Sequence, residues 1–481
     1  MLFITSNMLS VLILAIYIYT LISTVVVIIM QNRNPIRSIA WIVALIFLPF
    51  VGLFFYLLFG QNIRQKNTIN KLSLRQKAKE KSAALLDIAA ILQTAPSEAV
   101  KGLIKLLYTN SDAYPYSNSA IAFYTNGKET FRAIFETIAQ AKDHIHIEFY
   151  IIANDALGLR LQELLIQKAQ QGVQVRVIYD YWGSFKLSSR FLKPLKEAGV
   201  KAHAFFPPKF PFVLSRINYR NHRKIIVIDG NIGYTGGLNV AKRYFNGDNL
   251  GPWRDTMIRL EGPAVSGLQE IFINDWFFVD RIHLKGKQYF PSNTSNNFPK
   301  NCVQLVNAGP NTRWMSIMHG IFYAISTANN YVYIQTPYFM PPELILHAIQ
   351  TAALRGVEVR LMLPKLSRLS IVRSSNSSYI EFLLDAGVQV FFYEKGFLHS
   401  KTIVVDDSIS IVGTSNLDFR SFEQNFEVNA FIYDKDSALK LKAIFLEDMH
   451  YTKQVNEKKW RKRPRGQRIM ESFSRLFSPM M

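Results

Sequence analysis

A histidine, a lysine two residues later and an aspartate five residues after the lysine occur twice in this chain, each time inside the same longer pattern. His222, Lys224, Asp229, Gly236 and Asn239 form one copy, and His399, Lys401, Asp406, Gly413 and Asn416 the other; both read His-x-Lys-x4-Asp-x6-Gly-x2-Asn. At average residue usage one such match in a chain of 481 residues has a probability on the order of 10⁻⁴, so the repetition is not chance. An imidazole with an ordinary pKa of about 6.5 can serve near neutrality as a nucleophile or as a proton donor. Two of them around one phosphorus could therefore attack, protonate the leaving oxygen, and exchange roles in a second step. The ammoniums of Lys224 and Lys401 and the amides of Asn239 and Asn416 are suited to the nonbridging oxygens of a phosphodiester. The nine histidines show no H-E-x-x-H spacing, and the single cysteine, Cys302, rules out a Cys-based zinc site and an intramolecular disulfide. A lysine beside each motif histidine would also repel a cation, so no metal and no cofactor are expected.

These groups must be positioned by short strands. Side chains alternate along a strand, so His222 and Lys224 point one way, as do His399 and Lys401. The apolar runs 225–228 and 403–405 read as strands buried on both faces. Asp229-Gly230-Asn231 and Asp406-Asp407-Ser408 read as tight turns, and 232–235 and 409–412 as returning strands. Asp229 and Asp406 complete the signature, and their expected work is structural, through turn bonds and charge balance. Each histidine also needs a group that fixes its tautomer. Glu427, in Asn425-Phe-Glu-Val-Asn, and Asp255, in Trp253-Arg-Asp-Thr, hold matching places after the two motifs and are assigned that task. Gly237 stands where Thr414 keeps a hydroxyl, so the first half is expected to lack one hydrogen bond to the phosphate or to its histidine.

Around the motifs, helical patterns alternate with strands in two similar series. Ile145–Tyr150, Gly172–Val177 and Ala198–Val200 precede the first motif; Tyr331–Gln335, Gly356–Leu361 and Ala386–Val388 precede the second. An α/β sheet in each half follows, with an internal duplication about a pseudo-twofold axis and one site on that axis. The first half carries extra residues rich in Phe and Pro, 205–214, which read either as a loop packed on the core or as a lip entering lipid through Phe206, Phe210 and Phe212.

The doubled pattern resembles the signature of the phospholipase D superfamily. The string Gly413-Thr-Ser-Asn-Leu-Asp418-Phe-Arg420-Ser421-Phe, the segment Gln335-Thr-Pro337-Tyr338-Phe and the apolar start are similar to bacterial cardiolipin synthases, and the likeness extends over nearly the whole chain. It implies two duplicated phospholipase D-like α/β domains and a phosphatidyl-histidine intermediate. It also implies His222 as nucleophile, His399 as acid, and carboxylates such as Asp255 and Glu427 beside them. The implied reaction joins two phosphatidylglycerols into cardiolipin and releases glycerol. A phospholipase D, a phosphatidyltransferase for another alcohol, a nuclease and a lipid-binding scaffold without activity stay open as alternatives.

Composition narrows the partners. A net charge of +21 and a pI near 9.8 call for a polyanion, either nucleic acid or an anionic membrane. No charged residue precedes Arg33, and the uncharged runs 8–30 and 38–60 predict a transmembrane helical hairpin, so phosphatidylglycerol and other anionic phospholipids are the expected partners and nucleic acid is not. Arg64, Lys66, Lys71, Arg75, Lys77, Lys79 and Lys81 follow the second run, against two arginines between the runs, which predicts a multi-pass protein of the cell membrane with its catalytic part on the cytoplasmic side. The expected division is 1–60 membrane hairpin, 61–110 basic linker with a helix from Ala83 to Leu107, 111–295 and 296–450 the two halves, and 451–481 a basic amphipathic tail that docks at the interface.

Overall fold

The computed structural model describes residues 2–30, 35–56, 60, 88–208, 218–291, 299 and 301–480. It separates into two compact units, Met1–Ile63 with Pro208–Tyr219, and Arg64–Pro207 with Arg220–Met481.

In the first unit the helix Leu2–Met30 contains a stretch, Ser10–Met30, of mean hydropathy 2.7 that is long enough to cross a bilayer. It is the one such span among the described residues. The second apolar run is not a single helix. It forms Pro35–Phe47 and Pro49–Phe55, separated at Leu48, which has φ −131° and ψ 66°. A residue before proline is driven out of the helical region, so Pro49 in the sequence sets this break. Ile28, Leu45 and Tyr56 form the buried cluster of this unit.

The second unit holds two mixed sheets with the same plan. In chain order the strands of its first part are β1 (Pro115–Ser117), β2 (Ala120–Asn126), β3 (His144–Phe149), β4 (Gln174–Asp180), β5 (Lys201–Phe205), β6 (Arg220–Asn221), β7 (Lys224–Ile228), β8 (Ile232–Gly236) and β9 (Trp253–Glu261). There follow β10 (Cys302–Ala308), β11 (Tyr331–Gln335), β12 (Phe339–Met340), β13 (Glu358–Pro364), β14 (Gln389–Tyr393), β15 (Phe397–Leu398), β16 (Thr402–Val405), β17 (Ile409–Gly413), β18 (Leu417–Asp418), β19 (Asn425–Ile432) and β20 (Thr452–Gln454). One sheet runs β9-β8-β7-β3-β4-β5 and the other β19-β17-β16-β11-β13-β14, with β2 flanking β9 as β10 flanks β19. In each, three strands are parallel, β3-β4-β5 and β11-β13-β14, joined by helices such as Ala156–Gln170 and Glu343–Leu354. The near-continuous apolar strands of the interior are what such doubly covered sheets require. The duplicated α/β architecture expected from the sequence is therefore present.

Two short strands leave their own half. β6 pairs in parallel with β19, and β15 with β9, so the segment entering each motif extends the sheet of the other half. The expected boundary at residue 111 does not follow the sheets either, because β1 pairs with β10. The helix expected over 83–107 is interrupted at Pro96. Glu98–Ser111 starts afresh with Ser97 as its cap, and its Val100, Leu103, Ile104 and Leu107 lie in the core beside the second sheet. Phe205 and Phe206 are interior residues packed on Phe426, with ring centroids 5.1 and 5.6 Å away. Phe206 is thus no part of a lip; Phe210 and Phe212 lie outside the described residues.

Candidate functional site

Each motif builds a hairpin. β7 and β8 pair antiparallel from Ile225–Thr235 to Ile228–Ile232, and β16 and β17 from Thr402–Val412 to Val405–Ile409. Positive φ at Asp229 (52°) and Gly230 (64°), and at Asp406 and Asp407 (both 50°), makes the turns tight. Asp229 accepts three backbone N–H bonds at 2.8–2.9 Å, from Lys142, Asp143 and His144, and Asp406 three at 2.6–2.8 Å, from Asn329, Asn330 and Tyr331. These carboxylates tie each turn to the start of the neighbouring parallel strand. They sit a strand's length from the histidines, and backbone amides satisfy them in place of the charge balance expected from the sequence.

At the other end of the hairpins the two histidines line one cavity of about 400 Å³. The strand exchange explains how. The His222 amide donates to the Phe426 carbonyl at 2.9 Å, and the His399 amide to that of Arg254 at 2.7 Å. Each imidazole is thereby set beside a carboxylate of the opposite half. Nδ1 of His222 lies 3.0 Å from both oxygens of Glu427, and Nδ1 of His399 lies 2.7 Å from Oδ2 of Asp255. Both carboxylates are fully buried. With Nδ1 engaged, Nε2 is the ring nitrogen left for chemistry on each side.

Thr414 serves the carboxylate rather than a phosphate. Its hydroxyl donates to Oε2 of Glu427 at 2.5 Å, while Asn425 donates to Oε1 at 3.1 Å. Gly237, at the matching place, has a steric reason: a Cβ there would lie 1.9 Å from Oδ1 of Asp255. The hydroxyl missing from the first half is thus a partner of a carboxylate, not of the phosphate or the histidine.

Lys224 and Lys401 are buried beneath the rings, each Nζ bonding the carbonyl of its own motif histidine, at 2.6 Å for Lys224, and Lys401 also lying 2.9 Å from Nδ1 of His399. Asn239 accepts from the Ile151 amide at 3.1 Å and donates to the Tyr244 hydroxyl at 2.7 Å. Asn416 lines the cavity, with Oδ1 buried and without a hydrogen-bond partner among the described residues.

Burial dominates the electrostatics. It pushes His222 down to about 4 against the opposing charge of Glu427. It pushes His399 down to about 3, aided by Lys401 and opposed by Asp255. The same desolvation lowers Lys224 to about 7 and Lys401 to about 8. Both imidazoles are neutral near pH 7.

Several residues escaped the sequence reading. Arg223 pairs with Asp275 and donates to the Glu427 carbonyl at 3.3 Å; Arg254 donates to Asp448 at 2.9 Å and to Ser400 at 2.9 Å. Both guanidiniums bond from the first half into the second and brace the segments that carry the histidines and carboxylates. Four more arginines, Arg220, Arg243, Arg368 and Arg420, line the cavity. Two of them were visible as a pattern: Asn239-x3-Arg243 and Asn416-x3-Arg420 extend the repeated motif by one member.

Two half-sheets that lend each other a strand, and two histidines with trans-acting carboxylates in one cavity, define a phospholipase D-like protein. Residues 134–276 and 321–449 match the family described as cardiolipin synthase, PLD-like domain, and residues 15–61 match the phospholipase D-nuclease N-terminal family. Cardiolipin synthase 2 of Bacillus cereus is 42% identical over 95% of this chain and 89% of its own length, and the major cardiolipin synthase ClsA of Bacillus subtilis is 40% identical over 98% and 99%. The crystal structure of phosphatidylserine synthase from Haemophilus influenzae shares the fold, with a TM-score of 0.61 over 79% of this chain and all of that one at 14% identity. The chain belongs to the cardiolipin synthase family of phospholipase D-like proteins.

Proposed function

We propose that this protein is a membrane-bound phosphatidyltransferase that joins two phosphatidylglycerols into cardiolipin and releases glycerol. In the first step Nε2 of His222 forms a bond to phosphorus, the bond from phosphorus to the glycerol oxygen breaks, and His399 gives that oxygen its proton. In the second, the terminal hydroxyl of another phosphatidylglycerol gives its proton to His399 and bonds to phosphorus as the nitrogen–phosphorus bond breaks. His399 must be protonated for the first step, and the negative charge of the bound phosphodiester is what raises its affinity for a proton. Asn239, Asn416, Arg220 and Arg420 line the cavity around the reacting phosphate, and Lys224 and Lys401 add charge from beneath the histidine rings. The observation that carries this reading is the pair of imidazoles in one cavity, each with Nδ1 held by a carboxylate from the opposite half. Family resemblance supports His222 as the nucleophile.

The reciprocal pairing of β6 with β19 and β15 with β9 supports a pseudo-twofold relation between the halves. For the N-terminus we propose a membrane hairpin made of Leu2–Met30 and the broken second run, with the halves on the cytoplasmic side, supported by the basic residues from Arg64 to Lys81. The tail helix Arg465–Arg475 supports contact with lipid. It buries Glu471 and Ser474 against the second half and leaves Ile469, Met470, Phe473 and Leu476 exposed.

Purified protein incubated with labelled phosphatidylglycerol tests the function. Cardiolipin and glycerol in equal amounts are expected. Phosphatidic acid as the main product would assign a hydrolase instead, and no turnover a binding role.

A further inference from the structure

Four arginines and one carboxylate, Asp418, line the cavity, and the arginines fall into two groups. Beside His222 stands Tyr150, with ring centroids 5.0 Å apart. Arg220 and Arg420 belong to this side: both act on Tyr150 electrostatically, and burial followed by the Arg420 charge lowers the pKa of Arg220. Beside His399 stand Trp253 and Tyr244, at 5.3 and 5.6 Å. On this side the Arg243 guanidinium lies 5.1 Å from the Tyr244 ring centroid and 5.5 Å from that of Trp253, and Arg368 lies 5.2 Å from Trp253. A guanidinium held over an aromatic face by the ring's quadrupole keeps N–H donors suited to forked bonds with phosphate oxygens. Nε of Arg243 is buried and has no hydrogen-bond partner among the described residues. Arg368 pairs with Asp248 and is half exposed where it lines the cavity.

We infer that Arg243 and Arg368, both held over Trp253, form a second phosphate site that holds the acceptor phosphatidylglycerol by its own phosphodiester. The assignment rests on the proposed function and on its in-line geometry. With His222 bonded to phosphorus, the incoming hydroxyl must approach from the face of His399, which takes its proton. The acceptor phosphate then lies one glycerol further along that side, where these two guanidiniums stand. Water and free glycerol carry no phosphate and gain nothing from the site, so it selects the lipid acceptor over both.

Two reactions that share the donor and the covalent intermediate separate this role from a general one. Full-length protein in phosphatidylglycerol vesicles is assayed for cardiolipin formation and, with labelled glycerol added, for glycerol exchange into phosphatidylglycerol. In R243Q and R368Q the ratio of cardiolipin formation to exchange should fall roughly tenfold or more, the effect of losing a charge-assisted bond to one acceptor only. In R220Q both rates should fall together. An unchanged ratio in R243Q and R368Q would overturn the assignment, whether both rates drop or neither does. Wild-type protein inactive in both reactions would overturn the proposed function itself.

Discussion

At position 237 a single methyl group decides whether a carboxylate can reach its histidine. The Cβ of an alanine would collide with Oδ1 of Asp255, which also accepts the Thr256 amide at 2.8 Å, and the displaced carboxylate could no longer sit 2.7 Å from His399. Misplacement of this order in a catalytic array costs roughly a hundredfold in rate. G237A is therefore expected to lower cardiolipin formation by about that factor while thermal unfolding stays close to wild type; an undiminished rate would show that His399 does not depend on Asp255. The same position explains why the two halves chose different carboxylates. Glu427 is longer and is held by Thr414 and Asn425, whereas Asp255 is shorter and approaches over a residue without a side chain.

Among the elements, β3 and β11 are counterparts, and Glu148 of one stands where Gln335 stands in the other. Gln335 donates to Asp448 at 2.8 Å and accepts from Thr402 at 3.1 Å. Glu148 accepts from Asn221 at 2.5 Å, and burial, followed by the charge of Asp275, raises its pKa well above the carboxylate range. A protonated acid offers one donor and one acceptor, as an amide end does. E148Q should fold and retain activity within about threefold of wild type, since an uncharged amide keeps the bond from Asn221 without a buried carboxyl; loss of the folded state would mean that Glu148 is ionised and paired.

The two hairpins were legible in the sequence because apolar runs, turn residues and motif spacing all point the same way there. The strand exchange was not. β6 and β15 are two residues each, too short for any periodicity, and their partners lie far away in the chain. Asp229 and Asp406 show the same limit: the turn was readable, but the three amides each one binds come from a segment many residues earlier. Pro49 and Pro96 were in plain view, and each breaks a helix that hydrophobicity alone had joined. Arg243 and Arg420 needed only that the comparison of the two motifs be carried four residues past the asparagine.

For the whole molecule the question is how a strongly basic protein holds its site to a lipid surface. The tail turns its polar face inward, with Arg463 bonded to Glu471 at 2.9 Å and Ser478 to Ser375 at 2.8 Å, and its exposed apolar residues are flanked by Arg465 and Arg468. Cys302 is buried, so F473C places the one accessible thiol on this face. An environment-sensitive fluorophore attached there should shift to the blue and be shielded from aqueous quenchers in phosphatidylglycerol vesicles but not in zwitterionic ones; full quenching in both would remove the tail from the membrane.

All of these scales converge on one bond. If the halves cooperate as described, the phosphatidyl group rests on His222 between the two steps, while His399 moves protons on the opposite side. Rapid acid quench of the protein turning over phosphatidylglycerol labelled at phosphorus, followed by peptide mapping, reads that bond directly. Label on the peptide bearing His222, and none in H222N, is the expected result. Label on His399, or turnover with no trapped adduct on either histidine, would contradict it.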